Sequence, residues 1–560
     1  MAARKSKAVT DELVMVPLGG VGEIGMNVYL YGAGTEADRQ WIMVDLGLTF
    51  PGEHEPGVDV VLPDLTFIEQ QRHRLHGIVL THAHEDHFGA VIELWPRLRV
   101  PIYATPFTAA LLRAKAKDDR GGPELPIREV RLGGRIKTGP FEIEFVSVAH
   151  SIPESNALAI RTNLGMIFHT ADWKLDPAPV IGKPADERRI KELGEEGVAA
   201  LICDSTNALR EGISPSEEEV GRTIAKLIKS AKRRVAVTAF ASNVARIRSV
   251  ADATRAAGRE LVVVGRAMHR IIEVAQETGY LDRGMRFHDQ SAYGQMRREH
   301  VVALCTGSQG EPRAALSRIA LGEHPDVGLD EGDMVIFSSR PIPGNEKTIS
   351  RVMDGLADQG IEIVTDSDAL VHVTGHPRRG ELEQMYAWTK PACLVPMHGE
   401  VRHLEEQARY GLSKGVPHVV HARNGTVVRL LPGPAAITGE VPVGRLYRDG
   451  RLIVPAEAGV VRDRRKLSFV GIVVVALVLE KGELAADPVV MIDGIPGKAD
   501  DGTAMESLIL DAVEGAVGSI PKARRKDVEL VRDAASRAAR AAVNEAWGKK
   551  PICKVLVTLL

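Results

Sequence analysis

The sequence predicts an α/β protein of several domains, and three observations carry that reading. Residues 12–205 alternate short β-rich runs with turns and a few helical patterns, the texture of a layered α/β domain. After 207 the pattern becomes strand, helix, strand, helix, which is that of a parallel α/β unit. From 361 short strands return, and the last region, 469–560, shows two apolar strands, two helices and a terminal strand at 554–559.

Each element has a local reason. In the first region the β-branched and aromatic runs 13–18, 27–31, 41–44, 78–80, 102–104, 141–148 and 166–169 read as strands. The Ser216-Glu-Glu-Glu run opens a helix, with Ser214 or Ser216 as its cap. Strands at 234–240, 261–265, 301–305 and 334–338 then alternate with helices at 222–229, 244–257 and 269–278. The returning strands fall at 361–365, 370–373, 392–396 and 427–431, with a helix at 381–389. A basic stretch at 456–468 reads as a linker.

Composition narrows the class. Of 560 residues, 44% are hydrophobic and 26% charged, a globular profile that excludes collagen-like, coiled-coil and wholly disordered chains. The four cysteines, Cys203, Cys305, Cys393 and Cys553, are far apart and make no disulfide framework; three lie in or beside apolar runs as core thiols. The most apolar stretch, 469–479, is too short for a membrane helix and reads as a buried strand. With no secretory signal visible, a cytoplasmic protein without membrane contact is expected. Net charge is -3, so a nucleic-acid footprint would have to be local. Candidate basic clusters are Arg113/Lys115/Lys117, Arg462/Arg464/Arg465/Lys466 and Lys522/Arg524/Arg525/Lys526, although most such runs are solvated faces.

The strongest chemical signal is Thr81-His82-Ala83-His84-Glu85-Asp86-His87. Three histidines and two carboxylates fall in six residues just after an apolar strand. In an extended segment His82 and His84 point the same way, and Asp86 and His87 from the turn beyond can face a second ion. Imidazole and carboxylate donors suit zinc or a similar divalent cation. One motif cannot close two sites, and His150, Asp172 and His398 each follow an apolar strand where further ligands belong. Gly20-Val-Gly22-Glu-Ile-Gly25, with Asp45 twenty residues on, imitates a dinucleotide fingerprint. A strand rather than a helix follows it, so the nucleotide reading is rejected.

His-x-His-x-Asp-His resembles the metallo-β-lactamase superfamily, and the order Asp45, His82–His87, His150, Asp172, His398 resembles its nuclease branch. Asp204 in Leu-Ile-Cys-Asp-Ser-Thr is similar to motif A of the β-CASP subfamily, His376 in His-Val-Thr-Gly-His to motif B, and His398 in Pro-Met-His-Gly-Glu to motif C. The runs at 19–27, 240–243 and 338–346 narrow the resemblance to the ribonuclease J family over about 12–480, with the last 80 residues matching loosely.

The resemblance implies a metallo-β-lactamase αββα sandwich from 1–207 and 361–455, an inserted parallel β-CASP domain at 208–360, a linker at 456–468 and a small C-terminal α/β domain at 469–560. It implies one metal on His82, His84 and His150 and a second on Asp86, His87 and His398, with Asp172 bridging. Two zinc ions per subunit are expected, with manganese or magnesium as substitutes. Such a pair activates water and neutralises phosphate oxygens. Asp45 and Asp204 would orient ligand imidazoles, and His376 would stabilise the scissile phosphate or protonate the leaving oxygen. His372, Val373, Thr374, Gly375 and His376 would cradle a substrate phosphate, with Ser242, Asn243 and Ser339 nearby; turn and cap chemistry alone would explain the same residues. A structural calcium on Asp463 and the carbonyls of Pro56 and Val58 is a further implication, against an ordinary linker ion pair.

The implied function is endonuclease and 5′-to-3′ exonuclease action on single-stranded RNA, favouring 5′-monophosphate ends, in mRNA decay and rRNA maturation. A homodimer or homotetramer and other RNA-decay enzymes are the implied partners. Aromatic residues are only 4%, so RNA contact should rest on phosphates, with Phe50, Phe240 or Tyr293 as candidate stacking residues. A DNA repair nuclease, a small-molecule hydrolase and a metal-free RNA-binding scaffold are the rival readings.

Overall fold

The computed structural model describes residues 10–118, 122–342 and 344–560. These form two compact units, one of residues up to 49 with 61–446, the other of 50–60 with 447–560.

The first unit contains an αββα sandwich. One sheet has eight strands in the order Ala436–Glu440, Thr426–Leu431, Glu12–Gly19, Val28–Gly34, Gln40–Val44, Leu75–Val79, Ile102–Ala104 and Ile127–Glu129. The other has six, in the order Leu394–Met397, Ala200–Asp204, Gly165–His169, Asn156–Thr162, Phe141–Ser147 and Arg135–Thr138. Each sheet is antiparallel at one end and parallel at the other. Tyr31, Ile42 and Val79 of the first pack against Phe145, Ile160, Ile202 and Val395 of the second. Ile190, Leu193, Leu382 and Met385, from helices Glu187–Glu196 and Arg379–Thr389, cover the second sheet's outer face over Val146, Phe168 and Leu201. Ala200–Asp204 is buried at every position, which is why it reads as a continuous apolar run rather than an alternating one.

Between these strands the chain builds a fully parallel sheet of six, ordered His288–Asp289, Glu260–Val264, Val301–Cys305, Val235–Thr238, Met334–Phe337 and Glu362–Val364. Its first helix, Glu217–Ser230, starts on a reciprocal capping box between Ser216 and Glu219, so Ser216 rather than Ser214 is the cap.

In the second unit, Ile472–Glu480 pairs antiparallel with Val489–Asp493 and parallel with Ile552–Leu559. Helices Met505–Ser519 and Val528–Trp547 bury Ile509, Val513, Ala535 and Ala539 against Val473, Val475 and Leu477.

Two expectations need correcting. Residues 370–373 form no strand: the Val371 carbonyl is taken by Arg246 and Ser338 side chains instead of a neighbouring strand. The stretch 456–468 is folded, as a short 3-10 turn at Ala456–Ala458 and most of the helix Val460–Val470. The four cysteines are free. Gly25 leads into the strand Val28–Gly34, in keeping with rejection of the nucleotide reading. Among the described residues no helix is long and apolar enough to cross a membrane.

Leu477, 1% exposed at the centre of the second unit's core, gives a direct test of that packing. Leu477→Ala is expected to cost about 2–5 kcal/mol. Hydrogen exchange should accelerate along Ile472–Glu480 while Ala200–Asp204 in the first unit keeps its protection.

Candidate metal centre

Strand ends of both sheets deliver the site. Asp45 follows Gln40–Val44, His82 follows Leu75–Val79, His150 follows Phe141–Ser147, Asp172 follows Gly165–His169, Asp204 ends its strand and His398 follows Leu394–Met397. The motif segment leaves extended geometry at His84 and turns into one short helix, Glu85–Phe88, which aims Asp86 and His87 back at the same place. Met26, Asp45, Ala171 and His398 hold left-handed φ values of 50°, 61°, 49° and 51°, an uncommon conformation concentrated on residues at or beside the site.

All seven expected metal-ligating side chains come together, in two groups that share Asp172. In the first, His84 Nδ1 lies 3.1 Å from His82 Nε2 and 3.0 Å from His150 Nε2. Asp172 Oδ2 stands 3.8 Å from His82 Nε2 and 3.6 Å from His150 Nε2. In the second, Asp172 lies 3.2 Å from His87 Nε2 through Oδ1 and 3.4 Å from His398 Nε2 through Oδ2. Asp86 Oδ2 lies 3.6 Å from His87 Nε2 and 3.8 Å from His398 Nε2.

Burial, reinforced by neighbouring imidazoles, holds His82 and His150 well below the usual histidine range; burial likewise brings His84 to about 4 despite nearby carboxylates. These rings are therefore neutral at pH 7, each with one nitrogen lone pair free to coordinate. His87 goes the other way: burial opposes its charge, but Asp172, Asp86 and Asp45 raise it well above the usual range. Burial would raise Asp172, yet the facing His398, His87 and His376 lower it well below the carboxylate range. Asp172 Oδ1 is buried without a well-aligned hydrogen bond, His87 Nε2 at 3.2 Å being its near neighbour. Converging neutral imidazoles, a carboxylate short of donors and a local field that favours positive charge fit a divalent cation.

The outer contacts fix ring orientation. Asp45 is fully buried and raised by that burial; its Oδ2 lies 2.7 Å from His87 Nδ1, while Thr81 donates N–H and hydroxyl bonds to it at 2.8 Å. The Gly375 carbonyl lies 2.6 Å from His150 Nδ1, so His150 turns Nε2 inward. Asp204 differs from the expectation: its Oδ2 holds His376 Nδ1 at 2.7 Å rather than a ligand imidazole.

The segment expected to cradle a phosphate is tightly fixed. His372 and Val373 are buried; Thr374 Oγ1 accepts from Asn207 Nδ2 at 3.0 Å and from the His376 amide at 3.3 Å. The close approach that needs a glycine at 375 is to the His150 ring, which a Cβ there would strike. Asn243 caps the helix Val244–Ala256 with its own side chain, accepting from Arg246 N, and Ser339 Oγ donates to the Ser308 carbonyl at 3.4 Å. Ser242 sits half-buried immediately before that cap.

Other expectations fare differently. Tyr293 is buried, with its hydroxyl on the Gly328 carbonyl at 2.7 Å, so it cannot stack a base. Lys115 is bound to Glu85 at 2.6 Å and Arg113 to Glu129 at 2.6 Å, which neutralises most of that basic cluster. In the second unit, Arg464 reaches the Pro56 carbonyl at 3.5 Å, and Asp463 is exposed with Arg462 3.7 Å away. The Pro56 carbonyl therefore has a guanidinium beside it, and Asp463 an arginine.

Sequence reasoning missed Asn27. Its Oδ1 lies 3.0 Å from His398 Nδ1 and accepts from Tyr29 at 2.8 Å, while its Nδ2 lies 3.0 Å from His87 Nε2. The signal was present, because Asn27 closes the glycine-rich run at 19–27, but nothing local showed what it touches. Gln407, which donates to the Asp204 carbonyl at 2.8 Å, had no signal.

The sandwich, its parallel insertion and the seven-residue cluster define a metal-dependent hydrolase of the β-lactamase superfamily. The chain matches the models of a beta-lactamase superfamily domain over 41–186, the ribonuclease J beta-CASP domain over 232–356, a Zn-dependent metallo-hydrolase RNA specificity domain over 360–421 and the ribonuclease J C-terminal domain over 459–559. Ribonuclease J of Sinorhizobium meliloti is 53% identical over 557 residues, 99% of each chain. Ribonuclease J of Mycolicibacterium smegmatis is 39% identical over 545 residues, 96% of each chain. The chain belongs to the ribonuclease J family. A crystal structure of a protein of unknown function from Enterococcus faecalis V583 shares the fold, with a TM-score of 0.52 at 18% identity, covering 75% of this chain and all 100% of that one.

Asp45→Asn keeps the volume but removes the charge that holds His87. Zinc affinity measured by calorimetry is expected to fall about 10- to 100-fold; an unchanged affinity would show that Asp45 serves the fold alone.

Proposed function

We propose that this member of the ribonuclease J family, a metal-dependent ribonuclease, cleaves single-stranded RNA internally and also degrades it from the 5′ end, with a preference for 5′-monophosphates. The observation that carries the reading is the placement of His376. Its Nδ1 is held by Asp204, its ring lies 5.2 Å from His150 and 5.4 Å from His398 between centroids, and it is half-buried, as are His84 and Asp86.

His82, His84 and His150 would hold one zinc ion, Asp86, His87 and His398 the other, and Asp172 would touch both. Bound there, the pair supplies Lewis acidity to water and to phosphate oxygens, a role manganese or magnesium could share. The protein's own groups do the rest. Asp45, Asn27 and the Gly375 carbonyl keep ligand nitrogens aimed inward. Burial disfavours the charged form of His376, but Asp204 and Asp172 raise it to about 9, so before cations bind the ring carries both protons at neutral pH. With Nδ1 tied to Asp204, the Nε2 proton is the one available to a scissile phosphate oxygen or to the leaving oxygen. His372–Gly375, with Ser242, Asn243 and Ser339, would seat the phosphate of the 5′ nucleotide through backbone amides and hydroxyls.

The same reading takes 208–360 as the inserted domain between two parts of the catalytic core, and 469–560 as the domain that joins subunits into a dimer or tetramer. It places the protein in the cytoplasm, in mRNA decay and rRNA maturation, beside other RNA-decay enzymes. The rivals lose ground on named residues. A scaffold needs no converging seven-ligand set, and the match of 232–356 and 360–421 to β-CASP and RNA specificity domains speaks against a small-molecule hydrolase.

One RNA carrying either a 5′-monophosphate or a 5′-triphosphate, beside a matched single-stranded DNA, tests the proposal. The wild type is expected to release mononucleotides from the monophosphate RNA, and His84→Ala to lose more than about 100-fold, beyond the cost of losing an outer partner. Cleavage of DNA alone, or of neither substrate, would contradict it. His376→Ala should lower kcat about 10²- to 10⁴-fold with metal content intact; a loss of metal instead would make His376 a ligand.

A further inference from the structure

Between the metal centre and the His372–His376 segment runs a chain of buried ionic groups that neither the ligand set nor the cradle uses. Lys174 and Asp176 follow Asp172 on the same loop, Glu217 opens the first helix of the inserted domain, and Arg246 lies on the helix Val244–Ala256. All four are at most 2% exposed. Lys174 Nζ lies 2.9 Å from Asp176 Oδ2, which also accepts from the Glu217 amide at 2.9 Å. Arg246 Nη2 donates to Glu217 Oε2 at 3.0 Å. Its Nη1 donates to the Ser338 and Val371 carbonyls at 3.0 and 2.9 Å and also to Ser338 Oγ. Ser338 Oγ closes the knot by donating to the Val371 carbonyl at 2.7 Å.

The ends of this chain are informative. Lys174 is two residues from Asp172, and Val371 immediately precedes His372. Two cations and two carboxylates balance, so the network is not a stray charge. Nor is stability a sufficient reason for it, since well-packed apolar side chains serve a core as well as buried ion pairs do. What a planar, five-donor guanidinium adds is a fixed geometry between several acceptors at once. Here the acceptors come from three separate segments, at 217, 338 and 371.

We infer that Arg246 is a positioning residue: through Ser338 and the Val371 carbonyl it fixes the His372–Gly375 cradle beside Asp172, and so how tightly an RNA phosphate is held there. The inference rests on the RNA reading above. It gives the inserted domain a task in catalysis that involves no contact with RNA.

The test is steady-state cleavage of a 5′-monophosphate RNA by zinc-loaded wild type, Arg246→Lys and Ser338→Ala, with bound zinc and thermal midpoint measured on the same samples. Arg246→Lys keeps the charge but loses the fork; Ser338→Ala removes one hydroxyl and decides the matter if the lysine variant does not fold. KM is expected to rise about 10- to 100-fold with kcat little changed, because the cradle holds ground state and transition state alike. A merely structural role would lower kcat through a smaller active fraction and leave KM alone, which overturns the inference. So does an unchanged KM in folded, zinc-loaded variants while the wild type stays active. A wild type that does not cleave RNA removes the functional reading, and this inference with it.

Discussion

Asp172 is 2% exposed, and imidazoles from two separate strand ends, His150 and His398, and from the His82–His87 motif face it. Burial alone would protonate such a carboxylate; the surrounding rings keep it charged instead. The arrangement is self-consistent only if positive charge stands between these groups. In the metal-free protein a proton on His87 supplies part of it. A pair of divalent cations would supply it fully, and most of the first unit's architecture can be understood as the means of keeping Asp172 there.

The means are topological. In both sheets the ligand-bearing strands point their C-terminal ends to one edge of the sandwich, so short excursions beyond each strand suffice to bring donors together. Left-handed backbone at Asp45 and His398 shows how sharply those excursions turn. Ring orientation is then set from outside, by Asp45 on His87, Asn27 on His398 and the Gly375 carbonyl on His150. The last contact matters beyond the metal centre, because it joins a ligand to the segment expected to hold substrate phosphate. The buried chain from Lys174 to Val371 joins the same two regions by a second route, through the inserted domain.

Local chemistry made much of this legible in the sequence. His82–His87 is dense enough in donors to announce a metal, and His150, Asp172 and His398 stand out because each ends an apolar strand. The parallel insertion showed in its strand–helix alternation. What stayed hidden depends on contacts far apart in the chain. Asn27 lies 371 residues from His398, and no periodicity links them. Gly375 read as a place for a phosphate to approach, whereas the neighbour that needs the space is His150. Residues 370–373 are β-branched enough to resemble a strand, but side chains of Arg246 and Ser338 take the Val371 carbonyl. Asp204 and His376 were both singled out; that they bind each other required the two sheets to be placed first.

The central claim is that Asp172 is shared by two cations. Zinc content per chain, measured on wild type and on Asp172→Asn after equilibration against limiting free zinc, tests it most directly. The account predicts two equivalents in the wild type and weakened binding of both in the variant. A wild type that holds one equivalent or none, or a variant that loses one ion and keeps the other at full affinity, would contradict it.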